Sequence, residues 1–357
     1  MRYKQPLINA IVKELENPAD LVEPQELIET IYFGGGTPSL CTEEELNSML
    51  TAIHKNFTVA PDAEITFETN PDDITLAQLN MWKRNGINRL SIGVQSFFEE
   101  DLQWMNRAHN AQQAISALQW AISMFDNITI DLIYGTPGLT HEKWQQNVQQ
   151  AIALGIPHLS CYALTVEPKT PLDKQIRLHQ KTNVNLSFQS EQFLLLMQWS
   201  KEAGFEHYEI SNFAKPGFRS KHNSSYWQGK TYWGFGPSAH SFNGSSRWWN
   251  IANNTQYIQA INNHQPAFEI ETLTPEQQVN EFIMITLRTI EGLSLKVVAE
   301  KWPSLMVDNQ NIHPANTIIT AAKEHIEKGY IIYANDYLQL TNQGKLLADG
   351  ITADLFL

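Results

Sequence analysis

The feature that most constrains this chain is a recurrence. Short apolar, β-branched runs at residues 31–33, 65–69, 89–95, 128–134, 158–164 and 207–213 are separated by segments with helical spacing. Strands that alternate with helices are joined by crossovers, which set neighbouring strands parallel and bury both faces of the sheet. The helical segments carry start and stop signals of their own. Thr42 with Glu45 forms a capping-box pattern ahead of Leu46, Met49, Leu50 and Ile53, and Asn85-Gly86 and Gly155 mark helix ends before the next strand. With helices expected over 75–84, 110–125, 140–154 and 189–203, the pattern predicts an α/β fold. Its parallel sheet winds into a full or partial barrel, with a doubly wound open sheet as the alternative.

A chain of 357 residues exceeds the usual single-domain size, so one large α/β domain with a smaller appendage is expected. After residue 215 the texture turns rich in aromatics, glycine and asparagine, and from Thr274 a second helical group begins with Pro275 in its first turn. The tail reads as a helix over 314–329, a strand pair at 330–334 and 337–340, and a last segment over 341–349, a plan that resembles a winged helix. The expected divisions are 1–215 for the partial barrel, 216–272 for the aromatic region and 273–357 for the C-terminal domain. A formal charge of -13 without a lysine or arginine run argues against nucleic acid as a partner and for a small molecule or a protein. No apolar run approaches the roughly 20 residues of a membrane span. Residues 1–16 place Leu7, Ile8, Ile11, Val12 and Leu15 on one helical face among charges, an amphipathic helix rather than a signal peptide. The two cysteines, Cys41 and Cys161, form neither a disulfide framework nor a zinc pattern, which suits the cytoplasm. A barrel that opens on a helix also raises the expectation that an upstream strand is lacking.

Polar residues gather at the predicted strand tips, where barrels bind ligands. The first run leads into Gly34-Gly35-Gly36-Thr37-Pro38, whose glycines let backbone approach a ligand and whose threonine adds a hydroxyl; a plain tight turn reads equally well. Glu68 and Asn70 end the second run and Gln95 the third, Asp131 interrupts the fourth, and Tyr162 and Thr165 close the fifth. Arg107 is expected to begin the helical segment after Gln95 and to reach over the same face. A carboxylate on a strand of Ile, Leu and Tyr needs partners, so Asp131 is either a ligand-binding group or a structural pair with an arginine such as Arg89. A second constellation, Lys221-His222-Asn223-Ser224-Ser225-Tyr226-Trp227, precedes Tyr232, Trp233, Phe235, His240, Phe242, Trp248 and Trp249. Flat rings with an imidazole suit a planar conjugated ligand, and a neutral imidazole can ligate iron. The alternative is a local aromatic core with His222 bonded to backbone.

These segments together resemble the radical S-adenosylmethionine superfamily, and within it the heme chaperone family of HemW type, relatives of oxygen-independent coproporphyrinogen III dehydrogenase. The resemblance spans nearly the whole chain. It rests on 34–38, Glu68-Thr69-Asn70-Pro71, 89–97, Asn106-Arg107, Asp131-Leu132-Ile133-Tyr134-Gly135 and His222-Asn223-x-x-Tyr226-Trp227. It implies a partial radical-SAM barrel lacking its first strand, with S-adenosylmethionine held by Gly35, Gly36, Thr37, Glu68, Gln95, Arg107, Asp131 and Thr165. It implies heme on His222, Asn223, Tyr226 and Trp227, with His222 as the iron ligand, and transfer of that heme to an acceptor protein by a monomer or weak dimer. Peripheral membrane contact is left open. The family's [4Fe-4S] cluster needs a Cys-x-x-x-Cys-x-x-Cys triad that this sequence does not contain, so no radical chemistry is expected of the chain as written. A shortened N-terminus and a cluster-free paralogue both account for that; an in-frame triad just upstream of Met1 in the genome selects the first.

Two other functions remain open at this point. One is oxidative decarboxylation by a coproporphyrinogen III dehydrogenase, which requires the triad. The other is an ordinary barrel enzyme using Asp131 and Glu68 as acid and base, active without iron or S-adenosylmethionine.

Overall fold

The structure is a computed structural model that describes residues 4–19, 21–22, 26–307 and 310–357. The expected N-terminal helix is present as α1 (Lys4–Glu16); its first three expected positions lie outside the described residues. The main sheet has seven strands: β1 (Leu27–Phe33), β2 (Thr58–Thr69), β3 (Arg89–Gln95), β4 (Asn127–Tyr134), β5 (His158–Ala163), β6 (Glu206–Glu209) and β7 (Asn212–Ala214). Their order is β1-β2-β3-β4-β5-β7-β6. The pairs β2 with β3, β3 with β4 and β4 with β5 are parallel, and β7 runs antiparallel to both β5 and β6. The sheet is therefore an open half-barrel with two edges, as the partial-barrel expectation held.

One expected strand resolves differently. Residues 207–213 are not a single run but the hairpin β6-β7. The Glu209 carboxylate accepts from the Ser211 N–H at 3.2 Å and from the Asn212 amide, and so closes the bend between the two strands. An Asx-like local bond of this kind competes with a continuous ladder.

The crossover helices follow their signals. They are α2 (Glu43–Asn56), α3 (Leu76–Arg84), α4 (Glu99–Trp104), α5 (Ala111–Ile122), α6 (His141–Ala153), α7 (Pro171–Arg177) and α8 (Leu186–Glu202). Thr42 and Glu45 make the full reciprocal capping box of α2, and Asn110 with Gln113 makes that of α5. The rest of the chain adds α9 (Lys221–Trp227), α10 (Asn254–Asn262) and the antiparallel sheet β8 (His240–Phe242), β9 (Ser246–Asn250) and β10 (Phe268–Thr272). The C-terminal segment holds α11 (Pro275–Leu287), β11 (Leu293–Ser294), α12 (Leu295–Lys301), β12 (Leu305–Val307), β13 (Gln310–Ile312), α13 (Pro314–Glu327), β14 (Ile331–Ala334), β15 (Tyr337–Leu340), α14 (Asn342–Lys345) and α15 (Ala348–Asp354). Its helices followed by the β14-β15 hairpin, with β11 on the β15 edge, reproduce the expected winged-helix plan.

By contacts the chain divides into two compact units: Met1–Ile31, Cys41–Glu64 and Ser220–Leu357 form one, Tyr32–Leu40 and Ile65–Arg219 the other. The second unit is built on β3, every residue of which is buried, with Phe67, Leu79, Trp82, Leu118, Ile130 and Trp144 fully enclosed. Its interior also holds a polar layer. His158 Nε2 and the Tyr208 hydroxyl are 2.8 Å apart, His158 Nδ1 and the Thr129 hydroxyl 3.0 Å, and the buried Arg89 donates to Thr129. Burial, with Arg89 nearby, holds the His158 imidazole well below its ordinary pKa, so it serves as a neutral bridge. In the first unit α1 packs on α2 and α10, where Ala10, Tyr257, Ala260 and Ala267 form a small core. Glu14 of α1 accepts from the Tyr257 hydroxyl at 2.5 Å, the Gly236 N–H at 2.8 Å and the Asn250 amide at 2.7 Å, pinning the 234–240 turn.

Gly135 ends β4 at φ 77°, its N–H donates to Gln192 Oε1 at 2.7 Å, and a Cβ there would stand 2.2 Å from Gln189 Cγ. Gly86 has a similar φ of 83° in open space. Gly135→Ala is expected to cost about 3 kcal/mol and Gly86→Ala only about 1 to 2, because the second carries backbone strain without the collision. Thermal melts of the two variants check the difference; equal shifts would contradict the packing described at β4.

Candidate functional site

The C-terminal tips of β1 to β4 bring most of the sequence-flagged residues of the second unit into one polar cluster. Glu68, half-buried at the end of β2, accepts from the Tyr32 hydroxyl at 2.5 Å and from the Gly35 N–H at 3.2 Å. The glycine loop is thereby tied to the strand beside it. Gly34 is needed for closeness, since a Cβ there would lie 2.5 Å from the Tyr32 ring. Gly35 and Gly36 take φ of 72° and 61°, and nothing lies within 4 Å of where their side chains would be. The loop is an open backbone cradle, and Thr37 beside it is exposed.

A second group forms at the tip of β3. Arg107 donates to Asn70 Oδ1 at 2.8 Å and to the Gly93 carbonyl at 3.1 Å, and a Cβ on Gly93 would meet Gln95 Nε2 at 3.0 Å. Gln95 itself sits at φ 69° where the β3-β4 register shifts, an arrangement that turns its side chain back over the strand end. Arg107 reaches this face from a different place than expected. It does not begin a helix but follows α4, where Asn106 at φ 57° ends the helix and the Arg107 N–H returns to the Leu102 carbonyl at 2.9 Å.

Asp131 belongs to the same field. Enclosure is the largest cause raising its carboxyl, to about 7; the Glu68 carboxylate adds to it, while Arg89, Arg107 and the Ser160 hydroxyl oppose. Arg89 thus acts on Asp131 without removing the raised affinity for a proton. Enclosure and Glu68 together outweigh Arg89 and Arg107 at Asp131, a balance that a positively charged guest would reverse. Thr165 is exposed in the loop after β5, and its hydroxyl bonds the Ala163 carbonyl at 3.4 Å. Tyr32 was invisible to strand-tip reasoning because it reads as core; its contact with Glu68 emerges only from the pairing of β1 with β2.

In the first unit, α9 carries the His222 motif. The helix is capped by Ser220, whose Oγ accepts from the Asn223 N–H at 3.1 Å. His222 Nδ1 and the Thr30 hydroxyl of β1 are 2.9 Å apart, so this imidazole has a side-chain partner. Its ring meets Tyr226 edge-on at 5.0 Å, Tyr226 meets Tyr232 at 4.6 Å, and Tyr232 bridges to Phe242 through paired backbone bonds. Trp227 is half-buried, with Arg288 5.9 Å from its ring and its indole N–H without a hydrogen-bond partner among the described residues. The remaining aromatics divide: Trp233 and Phe235 pack on Phe57, Trp248 is buried, and His240 stays exposed near Trp249. The aromatic region is thus partly a core and partly an edge-linked row leading from His222.

An iron-sulfur cluster finds no fit. Among the described residues no group of three His, Cys, Asp or Glu side chains could hold a metal ion. Cys41 and Cys161 fall in different units, and burial raises both thiols above their ordinary values, which opposes the thiolate form a cluster needs. S-adenosylmethionine does suit the second unit's cluster, where an open glycine cradle lies beside the Glu68 carboxylate.

Known proteins give the same direction. The model of the radical SAM superfamily matches residues 4–151, and that of the HemN C-terminal domain matches 273–347. The heme chaperone HemW of Bacillus subtilis is 34% identical over 350 residues, covering 96% of this chain and 89% of that protein. This chain belongs to the HemW family of radical SAM proteins. The HemW of Escherichia coli is 31% identical over 364 residues, 99% of this chain and 89% of that protein. Coproporphyrinogen III oxidase (HemN) from Escherichia coli, a radical SAM enzyme, superposes with a TM-score of 0.84 at 22% identity, covering all of this chain and 84% of that one, so this chain shares the HemN fold. The curated relatives favour the chaperone reading over coproporphyrinogen dehydrogenation. No helix among the described residues is long and apolar enough to cross a membrane.

The raised Asp131 carboxyl has a signed consequence. A folded-state value of about 7 against an ordinary 3.8 means that its contribution to stability is fully present below about pH 4 and is lost as pH rises through 7. Compared with Asp131→Asn, the wild type is expected to lose stability between pH 4 and 7, by denaturant titration at each pH. Parallel curves would show that Asp131 is ordinary.

Proposed function

We propose that this chain binds heme on α9 and passes it to an acceptor protein in the cytoplasm; its relatives carry the name heme chaperone. His222 is the iron ligand, and Asn223, Tyr226 and Trp227 line the porphyrin. The observation that carries this reading is the half-buried imidazole of His222, anchored through Nδ1 by Thr30 and flanked by the Tyr226–Tyr232 row. An imidazole oriented by a hydrogen bond at one nitrogen is the usual form of a protein metal ligand, and aromatic edges suit a conjugated macrocycle. Gly35, Gly36, Thr37, Glu68, Gln95, Arg107, Asp131 and Thr165 form the S-adenosylmethionine pocket. When bound there, the cofactor supplies a cationic sulfonium; Glu68 and Asp131 answer its charge, and the glycine loop offers backbone groups to its methionyl end. No step that depends on a cluster is assigned to these residues. The protein acts as a monomer or weak dimer.

Hemin titration of the purified chain is expected to give a saturable Soret shift that His222→Ala weakens at least about 10-fold. Equal hemin affinity in that variant, or no Soret shift in the wild type, would overturn the reading. Glu68→Gln is expected to weaken S-adenosylmethionine binding by about 10-fold in calorimetry without altering the hemin titration, because the charge that meets the sulfonium is lost. Unchanged affinity would remove Glu68 from the pocket.

A further inference from the structure

The motif helix α9 does not stand by itself. It is seven residues long and has no acidic residue in its first turn, so beyond the Ser220 cap neither its length nor a charge of its own stabilises its start. A carboxylate from β2 does so instead. Glu64 is 5% exposed and accepts from the Lys221 N–H at 3.1 Å, the His222 N–H at 3.0 Å and the Ser220 hydroxyl at 3.3 Å. These donors lie on consecutive residues, so the carboxylate fixes where the helix begins and the direction in which its first side chains leave it. A buried charge held by several donors permits little displacement, since each lost bond leaves it exposed to a low dielectric.

The adjacent strand holds the side chain. Thr30 of β1 is half-buried, and its hydroxyl stands 2.9 Å from His222 Nδ1. With Nδ1 engaged by Thr30, Nε2 is the nitrogen left to meet an iron when its lone pair is unprotonated. Backbone and ring are therefore held from two separate strands.

We propose that Glu64 and Thr30 are the positioning residues of the heme ligand: Glu64 sets the start of α9, and Thr30 sets the rotation of the His222 ring. This rests on the reading of His222 as the iron ligand. Glu64 lies four residues before Glu68 on the same strand and was passed over in the sequence because it precedes the strand tip. Thr30 was passed over because it precedes the apolar run 31–33.

The test uses the full chain and ferric heme, with Thr30→Val, Thr30→Ser, Glu64→Gln and His222→Ala. The readouts are hemin affinity, the Soret maximum and low-temperature electron paramagnetic resonance of the complex, and the melting temperature of the apoprotein. Thr30→Val is expected to bind hemin about 10-fold more weakly with altered resonance positions, and Thr30→Ser to restore both. A hydroxyl that mattered only for folding would change the melting temperature and leave the spectrum of the complex unmoved. Glu64→Gln is expected to lower affinity by a similar factor; if it fails to fold, the Thr30 pair decides. Wild-type affinity and spectrum in Thr30→Val, while His222→Ala loses the complex, overturns the positioning role and leaves the chaperone function standing. Wild-type binding in His222→Ala overturns both.

Discussion

A carboxylate taken out of water has to be met by donors, and β2 does this twice along its length. Glu64 is buried and gathers backbone and hydroxyl donors at the start of α9. Glu68, at the strand end, gathers the Tyr32 hydroxyl and the Gly35 N–H. Each compact unit is thus organised by one acid from the same strand, the first around the imidazole helix and the second around the glycine cradle. An isolated helix as short as α9 has little stability in water, and a loop of consecutive glycines has a large entropy to lose on ordering. Both elements gain a defined place through these bonds, and the ligand-binding roles assigned to them depend on that definition.

The second unit's cluster concentrates opposing charges in one field. Asp131 is pushed toward the neutral form by enclosure and by Glu68, with Arg89 and Arg107 pulling against that shift. Arg107 is itself occupied by Asn70 and the Gly93 carbonyl, so its charge is spread over a wider group. A cationic guest would restore the ionised form of Asp131, which couples guest binding to release of a proton.

Much of this was legible in the residues. The alternation of apolar runs with capped helices determined the parallel order of β2 to β5, and polar strand tips pointed to Glu68, Gln95 and Asp131 because a buried polar group on an apolar strand needs a reason to be there. The hairpin β6-β7 was not legible: its bend is made by Glu209 bonding residues just ahead of it, which strand propensity does not register. The position of Arg107 was misread because the left-handed turn at Asn106 looks like helix continuation in sequence. Tyr32, Thr30 and Glu64 were missed for a common reason. Each is recognised by a partner far along the chain, and their types alone read as ordinary strand residues. The cluster question differs again, since a family pattern raises the expectation of cysteines while the two thiols present belong to different units and resist ionisation.

The claim on which the account rests is that the Glu64 carboxylate holds the start of the motif helix. Hydrogen–deuterium exchange of peptides covering Lys221–Trp227, compared between the wild type and Glu64→Ala, measures this directly. The amides of Lys221 and His222 are expected to be protected in the wild type and to exchange at least about 10-fold faster in the variant, with β3 peptides unchanged. Equal exchange across Lys221–Trp227 in the two proteins would contradict it.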